Sequence, residues 1–212
     1  MSTTARRAGR PPDADPEATR RAIREVALAH FGAYGYSQAT IGNIARDAGL
    51  TSGAVHYHFA SKEKLLEEIS ATVIEANVTR LRAAAAQHTS FVARTAALFD
   101  ELAAVHHETP DLGRFILVLV SDVARYPELR GAYDANVTAH HDLCSWLVDD
   151  ALAAGELSAT ADRDGVVDMI TGTISGLSSL MVMLPRSHHD SIALGVKLLF
   201  AGGLFTPTSA GR

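Results

Sequence analysis

Residues 40–64 read TIGNIARDAGLTSGAVHYHFASKEK, and this stretch decides the fold. Thr40, Thr51 and Ser61 each stand where a hydroxyl can cap a helix N-terminus. Gly49 stands where the first of these helices must stop and the chain must turn. The spacing predicts one short helix from Thr40 to Gly49, a second from Thr51 to about Phe59, and a third opening on Ser61. Two short helices joined by a Gly-containing turn form a helix-turn-helix unit, whose second helix can enter the DNA major groove. On that second helix Val55 and Phe59 face a core, while Ser52, Gly53, His56 and Tyr57 share the opposite face. Small residues at its start let the backbone approach base edges. His56, Tyr57, His58 and Lys62 are placed to donate to phosphates. An ordinary three-helix packing unit with capped ends fits the same spacing.

Upstream, Ile23, Val26, Ala27, His30, Phe31 and Tyr34 recur at helical spacing after Pro16, a residue suited to a first helical turn. Gly35 is placed to end that helix as a left-handed cap. Residues 1–15 hold three arginines and two prolines and read as a flexible basic arm. Downstream the pattern changes to long helices. Leu65, Leu66, Ile69, Val73, Ile74, Val78 and Leu81 form one stripe. Breaks near His88, Pro110, Pro127, Gly155–Thr160 and Pro185 delimit about five more helices. The tail 206–212 reads as frayed. The expected class is all-α: a helix-turn-helix domain over 16–62 and a larger helical domain over 63–205.

The net charge of −5 looks wrong for a nucleic-acid binder, but its distribution does not. Residues 1–64 hold nine Lys/Arg against six acids, a balance of +3, which leaves −8 on the rest. A basic head on an acidic body suits a protein that presents one end to phosphate. The longest strongly apolar run, Phe115–Val120, is too short for a bilayer. No apolar stretch follows Arg6 and Arg7, so no export signal is expected. The lone Cys144 cannot form an internal disulfide. A cytoplasmic, non-membrane protein is the expectation.

The residues from about Ala18 to Ile69 resemble the N-terminal domain of the tetracycline-repressor (TetR) family of bacterial regulators. The matching blocks are Phe31-Gly32-Ala33-Tyr34-Gly35-Tyr36, Thr40-Ile41, Ile44-Ala45, Ala48-Gly49-Leu50-Thr51, Gly53-Ala54-Val55, His56-Tyr57-His58-Phe59 and Ser61-Lys62-Glu63-Lys64-Leu65-Leu66. The resemblance implies that Thr51 to Gly53 approach base edges and that Thr40, His56, Tyr57, His58 and Lys62 meet the backbone. It also implies a variable all-helical ligand-binding body, a homodimer, and repression relieved by a small molecule. Three residues depart from the family pattern. Gly42 lacks a polar side chain, Asn43 replaces a frequent acid, and His56 stands where Tyr is usual. Ala8-Gly9-Arg10-Pro11 resembles arms that lie in A·T-rich minor grooves; a disordered solubilising tail fits it as well. The candidate DNA-binding set is Arg10, Thr40, Asn43, Thr51, Ser52, Gly53, His56, Tyr57, His58 and Lys62. The expected DNA partner is a double-stranded palindromic operator.

In the body, the segment Gly165–Met183 is apolar nearly all round, which predicts burial on several sides. Gly172, Ser175, Gly176, Ser179 and Met183 on it, with Val196 and Phe200 on the next helix, form the expected homodimer interface; an intrasubunit core helix is the alternative. Three shared helical faces make a candidate pocket for an unknown, largely apolar effector: Phe99 with His106; Phe115, Leu119, Asp122 and Tyr126; and Tyr133, Val137, His140 and Cys144. Ordinary core explains them too. His140 and Cys144, at i and i+4, could also offer two metal ligands or a Cys–His couple. The pairs His106-His107, His140-His141 and His188-His189 make no chelate by themselves, since adjacent helical residues point about 100° apart. No catalytic fingerprint is present, and neither an enzyme, a cofactor nor a metal is expected. The competing expectation is a helical small-molecule-binding or oligomerising protein without specific operator recognition.

Overall fold

The structure, a computed structural model, describes residues 15–203. Arg10, the rest of the arm before Asp15 and the tail after residue 203 lie outside the described residues. Nine α-helices and no strand are found among the described residues. Helix α1 (Pro16–Gln38) opens under Asp15, whose carboxylate accepts the Glu17 N–H at 3.0 Å. Gly35 breaks it as expected, but with φ 77° and ψ 170°. Its ψ is extended, so it is not a left-handed cap, and helical residues resume after the kink.

The next three helices follow the predicted punctuation. The Thr40 hydroxyl accepts the Asn43 N–H at 3.2 Å to open α2 (Ile41–Asp47). The Thr51 hydroxyl accepts the Ala54 N–H at 3.1 Å to open α3 (Ser52–His58). The Ser61 hydroxyl accepts the Lys64 N–H at 3.3 Å to open α4 (Lys62–Ala86). Between α2 and α3, Gly49 takes φ 69°. Its N–H donates to the Arg46 carbonyl at 3.0 Å, and the Leu50 N–H donates to the Ala45 carbonyl at 2.8 Å. These are the two bonds of a Schellman stop, which needs a residue free to adopt positive φ.

The body contains α5 (Phe91–Glu108), α6 (Pro110–Asp122), α7 (Arg130–Ala153), α8 (Arg163–Met183) and α9 (His189–Phe200). Short 3₁₀ turns at Pro127–Leu129 and Arg186–His188 precede α7 and α9. Two main cores form. The first joins α1, α2 and α3 to the first turns of α4, but it also takes in Phe115 and Leu119 of α6. The second gathers α5, α7 and α8 around the far half of α4, where Leu81 and Ala85 are buried. Helix α4 therefore runs through both.

The head is thus not a self-contained three-helix unit. A Cβ at Gly32 would lie 3.2 Å from the Arg114 Cβ, the Asp111 carbonyl oxygen and the Phe115 nitrogen. The missing side chain lets α6 settle directly on α1. Helix α8 also departs from expectation. Val167, Ile170, Ile174, Leu177 and Met181 are buried, but Met169, Leu180 and Met183 are exposed. In the single chain only one of its faces is covered. By length and composition α8 is apolar enough to cross a bilayer. Reading for continuous apolar runs passed over this, because Gly, Ser and Thr interrupt the segment. Its buried face packs on the second core.

Candidate nucleic-acid interface and ligand cavity

Helix α3 has a sharp division of faces. Val55 is 0 % exposed and anchors it in the head core, while Tyr57, two residues later, is 76 % exposed. Thr51, Ser52, Gly53 and His56 are exposed beside it. Exposed at that level, the Tyr57 side chain adds little to the fold and stays open to contact from outside the chain. The Tyr57 ring meets the His58 ring edge-on at 5.2 Å. Thr40 is exposed at the start of α2 and is committed to capping it. The Asn43 carbonyl oxygen accepts from Arg46 at 3.2 Å.

Lys62 is engaged within the head. Its ammonium donates to the Tyr36 carbonyl at 2.8 Å and lies 4.0 Å from the centre of the Tyr36 ring. A carbonyl and a ring face hold the cation against the head and take one of its three donors. Sequence reading also missed the hub that this contact belongs to. The Tyr36 hydroxyl donates to Glu63 at 2.5 Å. Bonds from Ser61 and Tyr36 hold the Glu63 carboxyl down at about 2. The Tyr36 N–H donates to the Asp122 carboxylate at 2.9 Å. One short segment after Gly35 therefore ties the end of α1, the start of α4 and the end of α6 together. Gly32 and Gly35 inside a helical pattern were the available signal, since glycine there marks close approach.

Arg20 and Arg24 face the same side. Arg20 donates to Glu68 at 2.7 Å and to the His58 carbonyl at 2.9 Å, with its guanidinium over the Phe59 ring. Arg24 pairs with Glu68 at 2.8 Å. His30, on the buried side of α1, bonds Asp47 of α2 at 2.8 Å. These contacts set the attitude of α2 and α3 on α1.

In the body, a cavity of about 250 Å³ lies between α4, α5, α6, α7 and α8. Of the ten candidate ligand residues it brings together His106, Tyr133, Val137 and His140. The other six belong elsewhere. Phe115 and Leu119 are buried in the head core, Tyr126 packs against it, and Asp122 holds Tyr36. Helix α6 turns that face to α1 and offers Leu112, Ile116 and Val120 to the cavity instead. Phe99 and Cys144 are fully buried in the second core, where Phe99 stacks on Phe200 at 5.8 Å.

The cavity wall is mostly apolar with a few polar groups. The His140 Nδ1–H donates to the Asn136 carbonyl at 2.9 Å, which leaves its other nitrogen as an acceptor. Burial pushes the His140 pKa down, so the ring stays neutral. The Asn77 carbonyl oxygen is buried without a partner. Ser175, Gly176 and Ser179, expected at the dimer interface, line the mouth on α8. Cys144 makes no nucleophile: burial pushes its thiol up to about 11.

Two of the expected interface residues turn inward. Val196 and Phe200 pack against the second core. The exposed apolar side chains of α9 are Leu194, Leu198 and Leu199. The reason is rotational: one face of a short helix already fills the gap over Phe91 and Phe99. On α8, Met183 is 69 % exposed, and Gly172 and Gly176 have open space where a Cβ would stand.

Residues 23–69 match the model of "bacterial regulatory proteins, tetR family". Over these residues the head is similar to that family. Over 59 residues it is 46 % identical to the HTH-type transcriptional regulator SrpR of Pseudomonas putida, a match covering 28 % of each chain. Over 51 residues it is 45 % identical to the A-factor receptor protein of Streptomyces griseus, covering 24 % of this chain and 18 % of that one. The chain thus spans about a quarter of the length of the curated relatives it matches. Beyond the head, the tetR-type fold continues through the body. FadR of Bacillus subtilis in complex with stearoyl-CoA superposes with a TM-score of 0.72 at 19 % identity, over 87 % of this chain and 99 % of that one. A TetR regulator of Haloarcula marismortui gives 0.73 at 22 % identity, over 90 % and 100 %. The family and these curated relatives are regulators, not enzymes.

Proposed function

We propose that the chain is a cytoplasmic, homodimeric transcriptional regulator. It binds a palindromic operator in double-stranded DNA through α2 and α3, and a small molecule in the body releases it. Repression is the favoured sense, since relatives of the head include named regulators of this type. The observation that carries the reading is the exposed face of α3: Thr51, Ser52, Gly53, His56 and Tyr57 stand together in water on a helix whose opposite face is anchored by Val55. Ser52 and Gly53 are assigned to base edges, and Thr40, His56, Tyr57 and His58 to phosphates. Residues 16–62 act as the reading head and 63–205 as the sensing and pairing body, with Arg10 in the arm before them.

Pairing uses the uncovered face of α8 and α9. Met169, Leu180, Met183, Leu194 and Leu198 present an apolar surface, and the open space at Gly172 and Gly176 admits a second backbone. A second copy of the chain is the occupant that a two-fold operator requires. The cavity supplies the sensing site. FadR of Bacillus subtilis, which shares the fold, holds stearoyl-CoA, and a largely apolar effector suits the wall described above. Coupling runs through α6. One face lines the cavity with Ile116 and Val120 while the other is built into the head through Phe115, Leu119 and Asp122. A ligand that prefers one attitude of α6 thereby prefers one attitude of the head, and linkage makes the effect reciprocal.

The test is recovery of bound fragments from a sheared genomic DNA library by the purified protein. A few fragments sharing a dyad-symmetric sequence are expected. Fragments with no sequence in common would contradict a regulator of specific genes.

A further inference from the structure

A second opening adjoins the cavity. It measures about 240 Å³ and lies between the start of α6 and the connection from α8 to α9. The two share one wall, the side chain of His106. His106 is wedged there because α6 carries Gly113 opposite it: a Cβ at 113 would come within 2.7 Å of its Nδ1.

The chemistry of the second opening differs from that of the first. Arg114, Arg186 and His189 line it beside Met181, Val182 and Leu184, and no carboxylate does among the described residues. Arg114 pairs with Asp111 at 2.6 Å, but both side chains are about half exposed, so solvent screens that pair and the guanidinium keeps further donors. Arg186 makes no ion pair among the described residues. His189 is 2 % exposed, and neither ring nitrogen has a partner. Its ring lies 4.8 Å from that of His107, whose Nε2 is also buried and unpartnered. An imidazole carries at least one N–H donor in either protonation state, and burying it unmatched is unfavourable. Two guanidiniums and an unmet N–H around one opening call for an oxygen anion.

We infer that the effector is an amphiphile with an acidic head group, whose apolar part fills the cavity while its carboxylate or phosphate sits among Arg114, Arg186 and His189. The inference rests on the reading of the cavity as the sensing site. Turning of the His106 side chain joins the two compartments and lets one molecule occupy both.

Calorimetric titration of the full-length protein with decanoate, decyl phosphate and decanol tests this. At least one of the two anions binds tenfold or more tighter than decanol, and the stronger of them names the head group. In an Arg114→Ala/Arg186→Ala double variant that advantage disappears while decanol affinity stays within twofold. Both arginine heads are exposed, so the fold should survive, and a thermal melt checks it. A separate Arg186→Glu variant weakens the anions and strengthens decylamine. Equal affinity for the alcohol and the anions, no binding of either anion, or an anion preference that survives the double variant would each overturn the inference. Release of DNA is read separately. Arginine-dependent anion binding that leaves DNA affinity unchanged sinks the induction reading and leaves the acidic-head-group site standing, without its role as an effector site. Release of DNA by decanol as readily as by either anion sinks this one alone.

Discussion

The first five helices and the last four are begun in different ways. Asp15, Thr40, Thr51, Ser61 and Ser90 each place a side-chain oxygen on the first free N–H groups of α1 to α5. No side-chain cap opens α6, α7, α8 or α9. The front half of the chain is therefore specified locally, by residues adjacent in sequence to the helices they start. The back half keeps local signals of another kind: Pro110 opens α6, and Gly155, at φ 72°, ends α7 with the same pair of bonds that Gly49 makes after α2. The proposed roles divide along the same line. The reading face needs helices held at defined angles with their polar sides in water, whereas a cavity and a pairing face need surfaces left incompletely filled.

The comparison breaks most visibly at α8. If its uncovered face pairs with a second copy, Leu180→Glu should leave the monomer folded, because Leu180 is 44 % exposed. It should convert a dimer to a monomer in sedimentation and reduce operator affinity by about 10²–10⁴-fold, the avidity of two linked heads. A dimeric variant with normal affinity would show that pairing lies elsewhere.

Asp122 tests the joint between the halves. Asp122→Ala leaves the N–H of buried Tyr36 without its acceptor and should cost roughly 2–3 kcal/mol in denaturant unfolding. Effector binding should then persist while its effect on DNA weakens. Full induction in this variant would remove α6 from the coupling path.

Acid should act on the body. Burial, then repulsion from His189 and His107, push the His106 pKa down to about 4. The unfolded chain takes up that proton near the ordinary value of about 6.5, and the folded chain does not until about 4. Protons are therefore bound preferentially by the unfolded state in this window, and stability falls as the pH is lowered through it. At pH 5 the loss from this residue should be roughly 2 kcal/mol relative to pH 7. His106→Phe should flatten that part of the unfolding profile, and an unchanged profile would assign it to other groups.

The smallest expected effect is in the head. Thr51→Ala removes one cap bond and should cost about 1 kcal/mol of stability, read as a shift in the denaturant midpoint. A loss well above that would mean that Thr51 does more than open α3.

These differences explain what the sequence disclosed. Thr40, Thr51, Ser61 and Gly49 act through bonds to residues within five positions of themselves, so the helix-turn-helix and its exposed face could be read directly. Periodicity on α6 correctly grouped Phe115, Leu119 and Asp122 on one face. It could not say that this face meets α1, because helical spacing carries no information on which neighbour a face will find. On α9 the same gap exchanged Val196 and Phe200 for Leu194 and Leu198. The bond from Lys62 to Tyr36 went unseen because the two lie 26 residues apart. The cavity was half legible: His106, Tyr133, Val137 and His140 were found through their mixed chemistry, while Asn77 and Ile116 gave no signal until α4 and α6 were side by side.

Helix α3 is proposed to read bases for a symmetric pair of heads. Binding-site selection from a randomised duplex pool, run in parallel for the wild-type protein and Ser52→Arg, tests it most directly. Both proteins should select dyads whose half-sites lie one helical turn or a multiple of it apart, about 34–36 Å per turn, and the variant should prefer different bases at matching positions in each half. Identical preferred sites for the two proteins, or enriched sites with no dyad, would contradict it.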